Sequence, residues 1–196
     1  PDKYPTSEKS EIKPEYPYAL TKLLGEQLVM HWVKIFDLPA ISLRLFNVYG
    51  TRSRTSGTYG AVLGVFLAQK LANEPLTVVG DGKQTRDFTY VDDIVSGTIN
   101  AATSNSVGEV LNLGGGSVIS LKEIIQIMKD MVGNDLKIKF VNEQKGDVKH
   151  TNADISKSKK LIDYKPKTDI KTGLALQFEY IKNNQNLYDG EIVYTK

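Results

Sequence analysis

The sequence contains no cysteine, which excludes a disulfide framework. It also lacks any run of 18 apolar residues and any charged-then-apolar leader, so neither membrane insertion nor export is predicted. The formal net charge is only +2, and the lysines are spread along the chain apart from one cluster at Lys157, Lys159 and Lys160. We interpret that cluster as a solvated helix face, so nucleic acid is not an expected partner. A globular protein of the cytoplasm is the resulting expectation.

Hydrophobic residues make up 40% of the 196 residues, which is enough for one substantial core or two small ones. Apolar residues at three- and four-residue steps predict a helix with one buried side over 18–36. Further helices are predicted over 60–72, 92–103, 121–131, 156–162 and 170–183. Strands are predicted over 40–46, 76–82, 85–91, 109–113 and 137–141. This alternation predicts an α/β fold with a parallel sheet.

Tyr18 and Lys22 lie four residues apart at the start of the first predicted helix. Four residues is just over one helical turn, so both side chains leave the same face and the ammonium can lie beside the phenol. A phenol with a pKa near 10 is a poor base at neutral pH, but a nearby cation favours the phenolate by roughly 1 to 3 units. Such a pair can exchange a proton with a sugar or alcohol hydroxyl. Structural ion pairing explains the same spacing, so the interpretation depends on other motifs.

No dinucleotide-binding fingerprint occurs in the sequence. The triplet Gly114-Gly115-Gly116 follows a predicted strand, but it matches neither G-x-G-x-x-G nor G-x-x-x-x-G-K-[ST]. We therefore interpret it as a structural turn. Residues 1–17 are polar and proline-rich, as a linker would be, and they lead directly into the Tyr18 helix. We expect a further amino-terminal portion of the protein to precede Pro1.

Five sequence blocks point to one family. They are Tyr18-x-x-x-Lys22, R-L-F-N-V-Y-G at 44–50, G-D-G-K-Q-T-R-D-F-T-Y-V-D-D at 80–93, N-L-G-G at 112–115 and G-D-V-K-H-T-N-A-D at 146–154. In this order and spacing they resemble the extended short-chain dehydrogenase/reductase family, and its nucleotide-sugar epimerases in particular, over nearly the whole chain. The resemblance implies NAD-dependent epimerisation at C4 of a UDP-hexose or UDP-N-acetylhexosamine, through a 4-keto intermediate and without a metal ion.

The resemblance also implies a domain arrangement. Residues 1–50, with 87–115 returning to them, would form the remainder of a Rossmann-like parallel sheet whose amino-terminal half is absent. Residues 51–86 and 116–196 would form a small α/β domain that binds the nucleotide sugar. The loop that holds the NAD pyrophosphate would lie upstream, so this chain by itself is not expected to bind NAD normally. A homodimer is expected, built from the helix that carries Tyr18 and its neighbour.

Family likeness assigns the central chemistry to two residues. Tyr18 would be the base for the sugar 4-hydroxyl, and Lys22 would hydrogen-bond the nicotinamide ribose, so both would contact NAD. Asn47 resembles the family asparagine that contacts the diphosphate or the sugar, at the carboxyl end of a strand. A simple turn cap is the alternative for Asn47.

Two charged residues would bind the rest of the nucleotide. Arg86 resembles the arginine that grips the diphosphate, a task suited to a planar charged fork, although a salt bridge to Asp87 or Asp92 also explains it. Asp147 would accept a hydrogen bond from the UDP ribose, unless it only forms a turn. The family commonly has an arginine three residues before this aspartate, where Gln144 stands here. That departure puts a second fixed phosphate donor in doubt.

The remaining substrate contacts come from smaller residues. Thr77, through its backbone, and Val79 would lie against the uracil, although both are ordinary residues for a buried strand. Ala61 and Val62 would also contact the substrate. Ala61 and Thr151 correspond to walls of the sugar site, and their small size resembles the subgroup that accepts UDP-N-acetylhexosamines. Helix packing explains small residues at these positions equally well.

Two other functions are compatible with the sequence. A nucleotide-sugar 4,6-dehydratase shares Tyr-x-x-x-Lys but needs an Asp-Glu pair in the segment before it, which lies outside this chain. The residues present at 44–47 and 146–147 favour the epimerase. The other alternative is an inactive fragment that binds a UDP-sugar or another subunit without chemistry.

Overall fold

The structure is a computed structural model that describes residues 3–56, 62–115, 118–133, 135–142 and 148–187. The helices in these ranges are α1 (Pro17–Phe36), α2 (Val62–Leu71), α3 (Val91–Thr103), α4 (Leu121–Val132), α5 (Ser156–Ile162) and α6 (Ile170–Asn183). The strands are β1 (Ser42–Leu45), β2 (Val48–Tyr49), β3 (Leu76–Val79), β4 (Thr85–Asp87), β5 (Thr89–Tyr90), β6 (Val110–Leu113), β7 (Val118–Ser120) and β8 (Ile138–Val141). A short 3-10 turn covers Gln185–Leu187.

The strands pair two by two within the described ranges. Three pairs are parallel: β1 with β6, β2 with β5, and β3 with β8. The pair β4 and β7 is antiparallel. Each parallel pair needs a long crossover, and helices lie within each of these crossovers. The predicted α/β class is confirmed, with short parallel pairs.

Two apolar clusters form the interior. The first lies between β3, β5 and helices α2, α4 and α6, and its fully buried members include Phe66, Leu76, Ile124, Met128 and Leu174. The second lies between β6, α3 and α5, and it contains Ile94, Leu111, Leu113, Ile162 and Tyr164. These clusters fix the strand ends from which the candidate site residues project.

Helix α1 has the predicted bounds but not the predicted buried side. None of its residues is buried, and Leu20, Leu24, Leu28, Trp32 and Phe36 are between 45% and 64% exposed. The less exposed side faces β1, to which Glu26 of α1 is bound through Arg44. The prediction failed because periodicity shows that a helix is amphipathic, whereas burial depends on the presence of a covering partner.

Residues 3–8 are docked on the fold, unlike the linker predicted for residues 1–17 from their composition. The N–H of Thr6 donates to the carbonyl oxygen of Asn152, and the N–H of Asp154 donates to the carbonyl oxygen of Thr6. Thr6 thus forms a parallel bridge with Ala153. Because side-chain and backbone hydrogen bonds tie this segment to residues 150–154, we name residues 3–8 the amino-terminal strap.

The observed strands differ from the predicted ones in two places. The strand predicted over 85–91 is split into β4 and β5 at Phe88, whose side chain is buried in the first cluster. The short strands β2 and β7 were not predicted, because two or three residues carry too little periodicity.

A search of the described residues finds no helix with the length and apolar character required to cross a bilayer.

Candidate functional site

Tyr18 and Lys22 share one face of α1, as their spacing predicts. The Nζ of Lys22 lies 5.2 Å from the centroid of the Tyr18 ring, within the range of a cation–π contact. Pro17 occupies the first turn, where its missing N–H costs little. Tyr18 is 47% exposed, so its phenol is accessible to a ligand at the start of the helix. This arrangement suits transfer of a proton to or from a bound hydroxyl.

Asn47 lies between β1 and β2 with a left-handed φ of 31°, a conformation that asparagine tolerates better than most residues. Its Nδ2 donates to the carbonyl oxygen of Asp87 at 3.3 Å and to Oγ1 of Thr151 at 2.8 Å. The orientation of the amide follows from this contact, because a carbonyl oxygen can only accept. The Oδ1 of Asn47 is therefore the amide atom left to accept a hydrogen bond from a ligand.

Thr151 is bound to Asn47 and to β4 at once. Its Oγ1 accepts from the N–H of Asp87 at 2.9 Å as well as from Asn47, and its own N–H donates to the carbonyl oxygen of Thr85. A hydroxyl that accepts twice keeps its proton for donation. Thr151 and Asn47 together therefore offer one donor and one acceptor side by side.

Arg86 lies next to the same group. Its Nη1 donates to the carbonyl oxygens of Thr85 at 3.0 Å and Lys149 at 3.3 Å. Thr85 also contacts His150, whose Nδ1 is 2.8 Å from the threonine Oγ1. The structure thus brings Arg86 beside residues 149–151. Three of the predicted site residues, Asn47, Arg86 and Thr151, form one cluster.

Asp87, considered in the sequence only as a salt-bridge partner, holds this cluster together. The side chain is fully buried, and its Oδ1 and Oδ2 accept from the N–H groups of Gly115 at 2.9 Å and Ala153 at 2.8 Å. A Cβ on Gly114 would lie 2.5 Å from the Cβ of Ala153, so this approach requires glycine. Gly114 and Gly115 are therefore structural, as the sequence analysis proposed for the triplet; Gly116 lies outside the described residues.

Thr77 and Val79 lie on β3, which pairs with β8 along one of its two edges. We call the opposite edge of β3 its outer edge. On the outer edge, the side-chain amide of Gln69 bonds to both the N–H and the hydroxyl of Thr77 at 3.0 Å. The Nε2 of Gln84 donates to the carbonyl oxygen of Val79 at 2.7 Å. Since the N–H and C=O of one strand residue point to the same side, the Thr77 C=O and the Val79 N–H also face this edge.

The remaining predictions can be compared with the structure only in part. Val62 begins α2 and is half-buried. Ala61, Asp147 and Gln144 lie outside the described residues. The division into two domains and the roles of the site residues stay predictions.

A bidentate ion pair between α1 and β1 was missed from the sequence. The Nε and Nη2 of Arg44 each lie 2.7 Å from a carboxylate oxygen of Glu26, and the hydrogen bond to that carboxylate raises the pKa of the guanidinium. Two signals were available: a glutamate inside an apolar helical stripe and an arginine inside an apolar strand. Each implies a partner of opposite charge.

A cavity of about 730 Å³ lies elsewhere, between residues 48–54, the start of α3 and Tyr180. None of the predicted site residues lines it. We base the candidate site on the hydrogen-bonded cluster and the Tyr18–Lys22 pair, because these carry the groups that proton transfer and anion binding require.

Comparison with known proteins gives consistent results. The model of the NAD dependent epimerase/dehydratase family matches residues 1–114. The UDP-glucuronate 4-epimerase of Thermodesulfobacterium geofontis is 39% identical over 89% of this chain and 53% of its own. The UDP-N-acetyl-alpha-D-glucosaminuronate decarboxylase of Bacillus cytotoxicus is 31% identical over 89% of this chain and 56% of its own.

Solved structures resemble the model closely. The UDP-glucuronic acid 4-epimerase of Bacillus cereus, in complex with UDP-glucuronic acid and NAD, has a TM-score of 0.81 and 38% identity over 89% of this chain and 57% of its own. The UDP-N-acetylglucosamine 4-epimerase of Methanobrevibacter ruminantium, in complex with UDP-N-acetylmuramic acid, has a TM-score of 0.88 and 30% identity over 93% of this chain and 59% of its own. The chain therefore spans a little over half the length of the proteins it matches.

Proposed function

We propose a reaction on the premise that this chain belongs to the NAD dependent epimerase/dehydratase family. The reaction is epimerisation at C4 of a UDP-hexose or UDP-N-acetylhexosamine through a 4-keto sugar. Because the chain covers a little over half of its relatives, the activity is proposed for the whole protein. A cytoplasmic homodimer is part of the same proposal. The observation that carries it is the exposed Tyr18 phenol with the Lys22 ammonium beside its ring.

In this proposal Tyr18 removes the proton from the sugar 4-hydroxyl. It returns the proton after the 4-keto sugar has rotated in the site and presents its other face. Lys22 hydrogen-bonds a ribose hydroxyl and places positive charge beside the phenol during proton transfer. NAD, held at its nicotinamide end by Tyr18 and Lys22, would supply reversible acceptance of the hydride from C4 of the sugar. The position of Tyr18 relative to C4 therefore decides the rate.

The residues present fit one end of the cofactor. An exposed phenol and an ammonium on one helix face suit the ribose next to the nicotinamide. The sequence has no G-x-G-x-x-G motif, so the pyrophosphate requires residues that this chain does not contain. NAD affinity of the isolated chain is accordingly expected to be weak.

The cluster around Arg86 supports binding of the nucleotide sugar. The guanidinium of Arg86 is anchored to the carbonyl oxygens of Thr85 and Lys149 through Nη1, and we propose that its positive charge, held in this position, attracts the diphosphate. The Thr77 C=O and the Val79 N–H match the donor and acceptor on one edge of a uracil ring. Both contacts are ordinary for a strand edge, so binding data must support them.

The amide geometry narrows the role of Asn47. Both N–H groups of its amide are used by Asp87 and Thr151, so Oδ1 is an acceptor. A diphosphate offers no proton to an acceptor, whereas a sugar hydroxyl does. We propose that Asn47 and the Thr151 hydroxyl bind one sugar hydroxyl as acceptor and donor.

The size of Thr151 and the substrates of similar proteins together indicate which sugars to test. The small Thr151 supports a substrate with an N-acetyl group. UDP-glucuronate is a second candidate, because two of the similar proteins act on or bind it. The assay must therefore contain UDP-glucose, UDP-N-acetylglucosamine and UDP-glucuronate.

The experiment compares the full-length protein with its Tyr18→Phe variant. Products from the three UDP-sugars are separated by chromatography and identified by mass. We expect a C4 epimer of unchanged mass, and a rate about 100- to 10,000-fold lower in Tyr18→Phe. Tyr180→Phe, which changes a tyrosine on α6, is the matched control and should keep full activity.

Other products would replace the proposal by a specific alternative. Loss of water from the product indicates a 4,6-dehydratase, and loss of carbon dioxide from UDP-glucuronate indicates a decarboxylase. UDP-sugar binding without any product, with NAD present, indicates a non-catalytic module.

A further inference from the structure

Glu26 occupies a core-facing position in α1. Residues three and four apart on this helix form its less exposed side, namely Ala19, Leu23, Glu26, Met30 and Val33. Such spacing normally places an apolar stripe against a core. The central member of this stripe is instead a carboxylate whose side chain is only 15% exposed. A charge with so little exposure to water is costly unless it is paired, so Glu26 requires a partner.

Arg44, in the middle of β1, is that partner. Its Nε and Nη2 form two parallel hydrogen bonds of 2.7 Å to the two oxygens of Glu26. Its Nη1 donates to the carbonyl oxygen of Glu8 in the amino-terminal strap at 3.1 Å. Three nitrogens of one planar group are thus fixed at once, which leaves the pair little freedom to rotate. The carboxylate of Glu8 in turn accepts the N–H of Asn112 in β6 at 2.8 Å, so the strap holding this carbonyl is itself anchored.

We propose that Glu26 is a positioning residue whose pairing with Arg44 fixes the rotation of α1 and thereby the direction of Tyr18 and Lys22. The inference rests on the proposed function of these two residues. Tyr18, Lys22 and Glu26 follow one another at four-residue steps, so each is turned about 40° from the next. Tyr18 lies about 12 Å along the helix axis from Glu26.

Apolar contacts are non-directional, whereas the bidentate Glu26–Arg44 pair links α1 to β1 in one orientation. Side chains reach about 5–6 Å from the axis of a helix, so a rotation of about 20° moves their ends by about 2 Å. A displacement of about 1 Å at a reacting group can already reduce a rate about 100-fold. A device that fixes the rotation therefore matters for proton transfer even if it adds little to stability.

The decisive variant replaces both charges, Glu26→Leu with Arg44→Leu. Exchanging a partly buried ion pair for apolar residues is often neutral for stability, so this variant should unfold at the urea concentration of the wild type. If the pair positions α1, kcat for a UDP-sugar in the full-length protein falls about 10- to 100-fold while KM changes less than threefold. The control pair Glu179→Leu with Lys182→Leu, an exposed ion pair on α6, should leave both constants unchanged.

A second readout does not depend on activity. Because these 196 residues contain no cysteine, Lys34→Cys on α1 and Lys159→Cys on α5 place one spin label each, once any cysteine elsewhere in the full-length protein has been replaced by serine. We expect a narrow distance distribution in the wild type and a broader or shifted one in the double-leucine variant. An unchanged distribution together with wild-type kcat would overturn the proposal. If no variant, wild type included, shows activity, the proposed function fails while the distances still test the positioning.

Discussion

The Asp87→Asn variant tests whether one buried carboxylate holds the candidate site together. Asp87 is fully buried, and its two oxygens accept from the N–H groups of Gly115 and Ala153 at 2.9 and 2.8 Å. Asparagine keeps the shape of the side chain but offers one acceptor and turns an NH₂ group toward the second donor. One of the two backbone N–H groups is then left facing another donor.

The expected loss follows from these two contacts. A hydrogen bond to a charged group contributes about 1.5–3 kcal/mol, and an unsatisfied buried donor costs about 1–3 kcal/mol. Asp87→Asn loses one such bond and creates one such donor, so the free energy of unfolding should fall by about 2.5–6 kcal/mol. For a chain of this size, that corresponds to a decrease in Tm of about 5–24 °C.

Urea unfolding followed by circular dichroism measures this loss, with Trp32 fluorescence as a second probe. Asp163→Asn is the matched control, because Asp163 is exposed and its φ of 49° suits asparagine. The control should change the free energy of unfolding by less than about 0.5 kcal/mol. If Asp87→Asn unfolds within about 1 kcal/mol of the wild type, the two hydrogen bonds do not hold the site as argued.

Three further outcomes are expected. Ser120→Ala removes the capping box with Glu123 at the start of α4 and should cost about 0.5–2 kcal/mol in urea unfolding, whereas Ser120→Thr should restore most of it. The pKa of Asp169 is lowered by the Thr172 hydroxyl and by backbone N–H groups, so its contribution is complete above about pH 4 and is lost as pH falls through the lower folded pKa. The stability difference between wild type and Asp169→Asn should therefore shrink from pH 7 to pH 3, and a constant difference would refute this. Thr151→Val leaves two donors unpaired and should weaken UDP-sugar binding in calorimetry, while Thr151→Ser should retain it.

Much of the fold follows from local sequence signals. The predicted bounds of α1, α3, α5 and α6 agree with the structure to within a residue or so; apolar spacing indicated α1, and the Ser120–Glu123 pair indicated the start of α4. Tyr18 and Lys22 lie together because helix geometry alone determines their relation. Local rules therefore suffice where one element contains all the partners.

Contacts between distant segments were harder to predict. The bonds from Asn47 to Thr151 and from Asp87 to Ala153 join residues more than 60 positions apart, and no local pattern encodes them. The burial of one side of α1 was mispredicted, because periodicity shows that a helix is amphipathic but not what packs against it. Glu26 differs from these cases, since a charge within an apolar stripe already implies a counter-ion elsewhere in the fold.

The amino-terminal strap has a practical consequence for anyone who shortens this protein. The proline-rich composition of residues 1–17 suggests a convenient cut just before Pro17. Such a cut would remove Thr6, which anchors residues 152–154, and Glu8, which supports both Arg44 and the edge of β6. A shortened product would thus lose the hydrogen bonds that hold residues 152–154 and one support of the Arg44 side chain that pairs with α1, so a negative binding result obtained with it would say nothing about the intact molecule.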